Sequence, residues 1–326
     1  MLFFLLLLLL NVTIFLNLKY ISSKIRIYDL PDNNRKIHNL KVTKIGGVIL
    51  FVNIILIIIY LDKFKFSQNF TPFFFILLLT FIISLIDDLK DIKPIYRLVS
   101  FYFVFLIWVI IDTNMQLNNL KFITYSIDIN IEKFSYLITP LFILIFLNAL
   151  NLYDGINGQT VSYLFLFLAF FYLNNVNIHL YFYLIPFLTI FFFYNINNKI
   201  FLGDTGITLS AIYISQILIK DYNLNKNLYC DEIFLIMMLP GIDMLRVYIG
   251  RLIKKKDPFL SDNTHLHHIL LKRIPKRYVF LYQFIFIILS LTLFYVYSVS
   301  FLFIFFTVLI LYFVTLICFN AKNTKI

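Results

Sequence analysis

The chain has 326 residues, of which 61% are hydrophobic and 19% aromatic, and its mean hydropathy is +0.88. This composition excludes an ordinary soluble domain, and apolar stretches of about 17–25 residues, long enough to cross a bilayer, recur along the whole length. The net charge of +11 does not indicate nucleic-acid binding, because the basic residues fall in short loops between the apolar stretches. Cys230 and Cys318 provide neither a disulfide framework nor a metal-binding spacing.

Eleven apolar stretches predict an all-α integral membrane protein with about 11 transmembrane helices (10–11) in a single polytopic domain over residues 1–326. The loops after the odd-numbered stretches and the C-terminus hold most of the 28 lysines and arginines, and the positive-inside rule makes this side cytoplasmic. We therefore expect the N-terminus outside and the C-terminus inside, with cytoplasmic loops near 19–44, 87–94, 151–159, 196–203 and 250–278. The predicted spans are roughly 2–18, 45–61, 70–86, 95–112, 135–151, 160–175, 178–195, 203–219, 231–249, 279–297 and 299–318.

The ionisable residues that could carry chemistry gather on the predicted cytoplasmic side. They are Asp87, Asp88, Asp91, Asp154, Asp204, Asp243, Asp262, His38, His265, His267 and His268. A transporter or lipid flippase would instead place ionisable groups near the middle of the bilayer and often shows internal repeats. Since the chain shows neither feature, we favour an enzyme that works at one membrane surface.

Asp204 is the first candidate for a functional carboxylate. It stands between Gly203 and Gly206, where an apolar stretch begins. A charged side chain in such a setting faces the protein interior or a water-filled cavity, and it is a functional candidate by default. An aspartate at this position also suits the N-cap of the following helix, and the two roles are compatible.

Three carboxylates end the third stretch. Asp87 and Asp88 are adjacent, and Asp91 lies one turn after Asp87 if the helix continues. Adjacent carboxylates repel each other unless a cation neutralises them, and Mg²⁺ suits that need because it binds one or two carboxylates together with substrate phosphates. The alternative is a solvated acidic helix end beside Lys90 and Lys93.

Polar residues also end the fifth stretch. Asn148, Asn151, Asp154 and Asn157, with two glycines among them, form a poor helix and a good polar loop. Such a loop could hydrogen-bond a sugar, a base or a metal-bound water. A plain Asn-Gly turn is the alternative, but a turn does not explain Asn148 inside the apolar run.

The loop over 243–276 combines an acid, cations and histidines. Asp243 is followed by Arg246 and Arg251, and the two arginines offer anion binding. The histidines of this loop are His265, His267 and His268. A three-histidine zinc site is an alternative, but histidines so close in sequence often cannot all reach one tetrahedral ion.

The first basic loop contains Arg35 and His38 ahead of a glycine pair at 46–47. This loop could close over phosphates or serve membrane topology alone. Taken together, the sequence places carboxylates for a divalent cation, cations for a polyphosphate, and histidines at one surface. That combination indicates phosphoryl-type transfer between a soluble and a lipid-borne substrate, which depends on positioning and charge neutralisation.

Five blocks of sequence, in order, match a known family. They are 35–47, 87–91, 148–158, 201–206 and 243–268, and they cover nearly the whole chain. On these residues the chain resembles the polyprenyl-phosphate N-acetylhexosamine-1-phosphate transferases, the WecA/TagO-like bacterial branch of the MraY superfamily (glycosyltransferase family 4). The resemblance implies a Mg²⁺-dependent transfer, with Mn²⁺ as the alternative ion, of a sugar-1-phosphate from a UDP-sugar to undecaprenyl phosphate, releasing UMP.

The resemblance also implies residue roles. Asp204 looks like the Mg²⁺ ligand, and Asp87 and Asp88 look like catalytic acids that activate the lipid phosphate and support the metal. The other catalytic candidates are Asp154, His265, His267 and His268. The substrate-binding candidates are Asn148, Asn151, Asn157, Arg35, His38, Asp91, Asp243, Arg246 and Arg251. Whether the lipid phosphate attacks directly or through a double displacement stays open at this point.

The family setting is the bacterial inner membrane, with the active site in a cleft at the cytoplasmic face. The reaction would be the first membrane step of cell-envelope polysaccharide synthesis, with GlcNAc-1-phosphate as the expected group, and the family allows a homodimer. The chain departs from the family pattern at Asn157, where a second acid is usual, and at Lys41 and Ile207. The alternative is the same reaction with another UDP-2-acetamido sugar of the FucNAc or QuiNAc type.

Overall fold

The computed structural model describes residues 1–31, 41–63, 70–176, 179–225, 227–258 and 264–320. Two predicted substrate-binding residues, Arg35 and His38, lie outside these residues. Within the described ranges the α-helices are α1 Leu2–Leu16, α2 Leu18–Ile25, α3 Gly46–Lys63, α4 Phe70–Lys90, α5 Pro94–Ile111, α6 Ser135–Tyr153, α7 Gln159–Leu173, α8 His179–Phe182, α9 Ile185–Ile196, α10 Gly203–Lys220, α11 Cys230–Ile253, α12 Leu266–Leu270, α13 Lys276–Tyr295 and α14 Phe301–Asn320.

Two short antiparallel hairpins interrupt the helices. In the first, β1 (Tyr28–Asp29) pairs with β2 (Val42–Thr43), and in the second, β3 (Asn119–Phe122) pairs with β4 (Ile127–Asn130). Single turns of 3₁₀-helix at Thr113–Met115 and Glu132–Phe134 and a π-helical turn at Asp221–Asn225 complete the regular structure of the described residues. The all-helical class predicted from sequence is therefore confirmed apart from these small hairpins.

The predicted count of about eleven membrane-crossing helices is not confirmed. Among the described residues, six helices are long and apolar enough to cross a bilayer, and the bent pair of α1 and α2, which meet at 71°, makes a seventh if it is one span. Helices α3, α7 and α9 are apolar but shorter. A helix lies in each of the eleven predicted stretches, and by length and composition the described residues support six or seven spans.

Helix α10 is the central helix of the bundle. It packs against α3, α4 and α6, and each of its residues from Thr205 to Ile219 is buried. Its polar side chains Thr208, Ser215 and Gln216 therefore face protein rather than lipid, which membrane helices tolerate far better. This burial is why α10 can carry polar residues at the centre of the fold.

A buried amide pair fixes the first helix against the bundle. Asn11 on α1 donates through Nδ2 to Oδ1 of Asn53 on α3 at 2.7 Å, and Asn53 returns the bond at 3.0 Å. Both residues are fully buried. Because amide pairs between apolar helices contribute on the order of 1 kcal/mol, this contact helps specify where α1 packs.

Candidate active site

Four helix ends meet at the candidate site: the C-termini of α4 and α6 and the N-termini of α5 and α10. Helix α4 stops because Asp91 adopts a left-handed backbone with φ of 47°, and Pro94 begins α5 three residues later. Oδ1 of Asp87 accepts a hydrogen bond from the backbone N–H of Ile92 at 2.8 Å and stabilises this turn. The turn folds the start of α5 back towards Asp87.

Arg97 joins the acids of two separate helices. Its Nη1 donates to Oδ2 of Asp87 at 2.7 Å and to Oδ1 of Asp204 at 3.0 Å. The side chain is only 18% exposed, so solvent screens these ion pairs weakly. Sequence reasoning missed Arg97, although an arginine inside a predicted membrane span is a signal that could have found it.

Asn151 completes the group around Asp204. With its amide oriented to suit both neighbours, Asn151 donates to Oδ1 of Asp204 at 3.1 Å and accepts from Nη2 of Arg97 at 3.0 Å. Of the described residues, none donates to Oδ2 of Asp204, and this side chain is 31% exposed. Asp204 therefore keeps one carboxylate oxygen for a ligand that comes from solution.

Asp88 caps the N-terminus of α10 from a different helix. Its Oδ1 accepts from the backbone N–H of Asp204 at 3.1 Å, and its Oδ2 accepts from the N–H and the hydroxyl of Thr205 at 2.9 and 2.6 Å. The expectation that Asp204 itself caps this helix is wrong, because no side-chain cap comes from within the segment. A helix N-terminus carries unpaired N–H groups, and the Asp88 carboxylate satisfies two of them.

Gly203 makes this close approach feasible. It has a φ of +73°, and a Cβ atom there would lie 2.8 Å from Oδ2 of Asp88. A residue with a side chain would strain the backbone and displace the carboxylate. The glycine before Asp204 therefore serves the contact between α4 and α10.

Lys44, in the loop before α3, adds a second cation. Its Nζ lies 3.6 Å from Oδ1 of Asp88 and 3.6 Å from Oδ1 of Asp29. Burial alone would lower the pKa of Lys44, but the carboxylates of Asp88 and Asp29 raise it above its ordinary value. Lys44 thus stays charged at neutral pH, and it is a second residue that sequence reasoning missed.

Asp154 lies at the C-terminus of α6, next to the start of α7. The hydroxyl of Thr160 donates a short hydrogen bond to its Oδ1. Burial raises the pKa of Asp154 to about 6, against the opposing effect of the Thr160 hydrogen bond and with a contribution from the charge of Asp204. Asp154 therefore titrates close to neutral pH, as suits a group that exchanges protons.

Gly155 lies in the loop after α6, and it allows the histidine segment (residues 264–268) to pack against this loop. A Cβ atom at Gly155 would overlap the imidazole ring of His267, so the ring lies directly on the glycine backbone. Burial and the neighbouring His268 lower the pKa of His267 to about 3. His267 is therefore neutral at physiological pH. Helix α6 contacts the acid cluster (Asp87, Asp88 and Asp204) through Asn151, and the loop after α6 contacts His267 through Gly155.

Asp243, buried on α11, anchors His265. Its Oδ2 lies 2.9 Å from Nδ1 of His265, and its Oδ1 accepts from the backbone N–H of Leu266 at 3.1 Å and from Nη2 of Arg246 at 2.9 Å. The rings of His265 and His267 are parallel, with centroids 5.8 Å apart. Asp243 and Arg246, predicted to bind substrate, thus bond mainly to the protein.

The structure places the other predicted residues outside the acid cluster. Asp91 is exposed beyond the end of α4, and Asn148 lies one turn before Asn151 on α6. Nδ2 of Asn157 donates to the carbonyl of Asn195 at 2.6 Å, and Nη1 of Arg251 donates to the carbonyl of Pro258 at 2.5 Å. Both bonds are made to backbone carbonyls of the protein itself.

The described residues contain no group of three histidine, cysteine, aspartate or glutamate side chains arranged to hold a metal ion. The histidine segment is thus not a preformed zinc site. Mg²⁺, however, needs only one or two carboxylates when substrate phosphates and water supply its other ligands. Asp204, with its open oxygen, fits such a ligand, whereas both oxygens of Asp87 and of Asp88 are already hydrogen-bonded.

Part of the chain that forms this site matches a known protein family. Residues 70–221 match the family model described as Glycosyl transferase family 4. The match runs from α4 to the end of α10 and contains the acid cluster, Arg97, Asn151 and Asp154. It ends before Asp243 and the three histidines.

Individual relatives extend the similarity over most of the chain. A protein of Thermotoga maritima is 26% identical over 265 residues, covering 79% of this chain and 78% of the relative. A protein of Pasteurella multocida is 27% identical, with 77% and 73% covered, and one of Salmonella typhi is 23% identical, with 80% and 73% covered. All three are named undecaprenyl-phosphate alpha-N-acetylglucosaminyl 1-phosphate transferase. The predicted resemblance is therefore confirmed: the chain is similar to transferases of that name over most of its length and to glycosyl transferase family 4 in its central part.

Proposed function

We propose that the protein transfers GlcNAc-1-phosphate from a UDP-sugar to undecaprenyl phosphate, with release of UMP. The names of the relatives support this reaction. The observation that carries it to this chain is the convergence of Asp87, Asp204 and Asn151 on Arg97, because all four residues lie in the part of the chain that matches the family. Such a reaction starts cell-envelope polysaccharide synthesis.

In the proposed reaction, an oxygen of the lipid phosphate bonds to the sugar-bearing phosphorus of the UDP-sugar. The bond between that phosphorus and UMP breaks, and UMP leaves with the electron pair. The diphosphate and the lipid phosphate are both anionic, so the site must offset negative charge. Arg97 and Lys44 supply fixed positive charge beside the acids.

Mg²⁺ is the proposed cofactor, and Mn²⁺ is an alternative ion for the same ligands. Asp204 would hold the ion through its open carboxylate oxygen, with Asp87 beside it. When bound, the ion would offset charge on the diphosphate. The protein's own groups then act around it: Arg97 orients Asp87 and Asp204, and Asp88 holds the helix end that carries Asp204.

Asp87 is the acid proposed to orient the lipid phosphate, and Asp154 is the proposed proton-handling group. Asp87 is held by Arg97 and the turn after α4, which suits a carboxylate that orients the lipid phosphate. Asp154 has a pKa near 6, so it can take or release a proton in the neutral range. The neutral His267 adjoins Asp154 through Gly155, which places a hydrogen-bonding ring near the same loop.

The donor sugar is the part of the proposal with a rival. The relatives' names favour GlcNAc over another UDP-2-acetamido sugar, whereas Asn157 departs from the usual acid. A transporter is not favoured, because the acids meet at helix ends instead of in the middle of the bundle.

The test is UMP release by purified protein in detergent with undecaprenyl phosphate. We expect UMP with UDP-GlcNAc, loss of turnover with EDTA, and recovery with Mg²⁺. UMP formed only with UDP-FucNAc or UDP-QuiNAc would show that one of these sugars is the donor. Activity that persists in EDTA would contradict the proposed need for Mg²⁺. Folded protein that releases no UMP with any donor would refute the reaction.

We further propose a multi-pass protein of the bacterial inner membrane with the C-terminus and active site cytoplasmic. Single cysteines replacing Lys255 and Asp128, both exposed, test this orientation in a chain with Cys230 and Cys318 replaced by serine. An impermeant thiol reagent should label position 128 in intact spheroplasts and position 255 only after the membrane is opened. The reverse labelling pattern would show the opposite orientation. We also propose a homodimer, which size-exclusion chromatography in detergent tests.

A further inference from the structure

The last helix, α14, reaches into the histidine segment through one tyrosine. Tyr312 is fully buried, and α14 packs against both α11 and α12. This helix lies outside the part of the chain that matches the family model. We propose that Tyr312 is a positioning residue for His265, acting through Asp243 and Arg246; the inference rests on the proposed function.

The direction of each hydrogen bond follows from the chemistry of the partners. Arg246 can only donate, and its Nε lies 2.5 Å from the hydroxyl oxygen of Tyr312. The tyrosine hydrogen is therefore free to point at Oδ1 of Asp243, which lies 2.6 Å away. Because a carboxylate can only accept, the three side chains form one continuous donor-to-acceptor chain.

This chain defines the state of His265. The carboxylate of Asp243 can only accept, and it lies 2.9 Å from Nδ1 of His265, so Nδ1 carries a hydrogen and Nε2 is the ring nitrogen that Asp243 leaves uncontacted. Arg246 also donates through Nη2 to the carbonyl of Thr264 at 2.6 Å. The residue before His265 is thus held by the same guanidinium.

The hydrogen-bonded anchor of Asp243, Arg246 and Tyr312 indicates a positioning role for Asp243 and Arg246, which were predicted to bind substrate. Both carboxylate oxygens of Asp243 accept hydrogen bonds from the protein, and the donors are His265, Leu266, Arg246 and Tyr312. Arg246 uses Nε and Nη2 on protein acceptors. Their geometry suits holding a histidine in a fixed tautomer and orientation, as carboxylates do in other enzymes.

The experiment compares Tyr312→Phe with Tyr282→Phe. Tyr282 provides a matched control, because its hydroxyl bonds Thr315 between α13 and α14 at 2.7 Å and its ring packs against Phe286 and Phe319. We expect Tyr312→Phe to lower kcat for UMP release by about tenfold, the loss typical of one hydrogen bond to a charged group, with KM for both substrates unchanged. Tyr282→Phe should retain wild-type kcat.

A double-mutant cycle separates positioning from general packing. In a His265→Ala background, Tyr312→Phe should cause no further loss of activity, because its effect passes through His265. An equal loss in both backgrounds, or a wild-type rate for Tyr312→Phe, would overturn the proposal. Unfolding temperatures in detergent confirm that each variant is folded.

A second readout needs no turnover and so separates this inference from the proposed function. His265 is nearly inaccessible, so diethyl pyrocarbonate should modify it slowly in the wild type and in Tyr282→Phe. Faster modification of His265 in Tyr312→Phe, measured by mass spectrometry, is the expected result. Equal rates in all three proteins would refute the anchor even if the wild type released no UMP.

Discussion

The acid cluster and the histidine segment are built in different ways. The acid cluster is held by ion pairs to Arg97 and Lys44, and its central acid, Asp204, is partly exposed. The histidine segment is held by a buried hydrogen-bonded anchor of Asp243, Arg246 and Tyr312. Ion pairs that reach solvent can exchange partners when a charged ligand arrives, whereas a buried network is costly to disrupt. The acid cluster therefore suits the binding of substrate and cation, and the histidine segment suits a rigid part of the site whose side chains stay in place.

The largest effect is expected at the solvent-reaching acid of the cluster. Asp204→Asn removes the charge that pairs with Arg97 and the proposed Mg²⁺ ligand, and it should lower kcat by roughly a hundredfold or more. Asp128→Asn, on an exposed hairpin, is the control and should keep wild-type activity. Retained activity in folded Asp204→Asn would remove Asp204 from the site.

The next largest effect is expected at Arg97, where the question is whether all of its contacts with the site are needed or only its charge. Arg97→Lys keeps the positive charge, but its single nitrogen cannot contact Asp87 and Asp204 and also donate to Asn151, as Nη1 and Nη2 of Arg97 do together. We expect kcat/KM for the UDP-sugar to fall on the order of tenfold to a hundredfold, measured by UMP release. Lys121→Arg, on the exposed β3–β4 hairpin, serves as the control. If Arg97→Lys is indistinguishable from wild type, charge alone suffices there.

A smaller effect is expected where the two regions touch. Gly155→Ala places a methyl group against the ring of His267, and overpacking of this kind costs about 1–3 kcal/mol. We expect an approximately tenfold loss of kcat with a lower unfolding temperature. Gly250→Ala, which meets nothing within 4 Å, is the control. Wild-type activity and stability of Gly155→Ala would show that the contact between the two regions is not needed for function.

The smallest effect concerns pH. Because burial raises the pKa of Asp154 to about 6, its carboxylate becomes protonated as pH falls through 6. If the ionised form is required, kcat/KM should fall below that pH and stay level above it. His267, with a pKa near 3, should contribute no limb between pH 5 and 8. A profile of Asp154→Asn that keeps the same acid limb would assign the limb to another group.

Part of the site was predictable from sequence. Asp87, Asp204, Asn151 and Asp154 were singled out because polar residues at the ends of apolar stretches are costly unless they are used, and the structure brings these four to meeting helix ends. Arg97 was missed although it lies inside a predicted span, because the contact that gives it a role at the site is with Asp204 on α10, 107 residues away in sequence. The contact of Gly155 with His267 has no sequence signal at all.

The sequence by itself determined that the chain is a helical membrane protein with its acids at helix ends, because apolar run length and residue type are local properties. Tertiary structure decided the rest. It made α10 a buried central helix despite its polar residues, and it assigned the cap of that helix to Asp88 instead of Asp204. It also recruited Tyr312 from the last helix to hold His265. Each of these depends on which helices pack together, and packing is a property of the whole bundle.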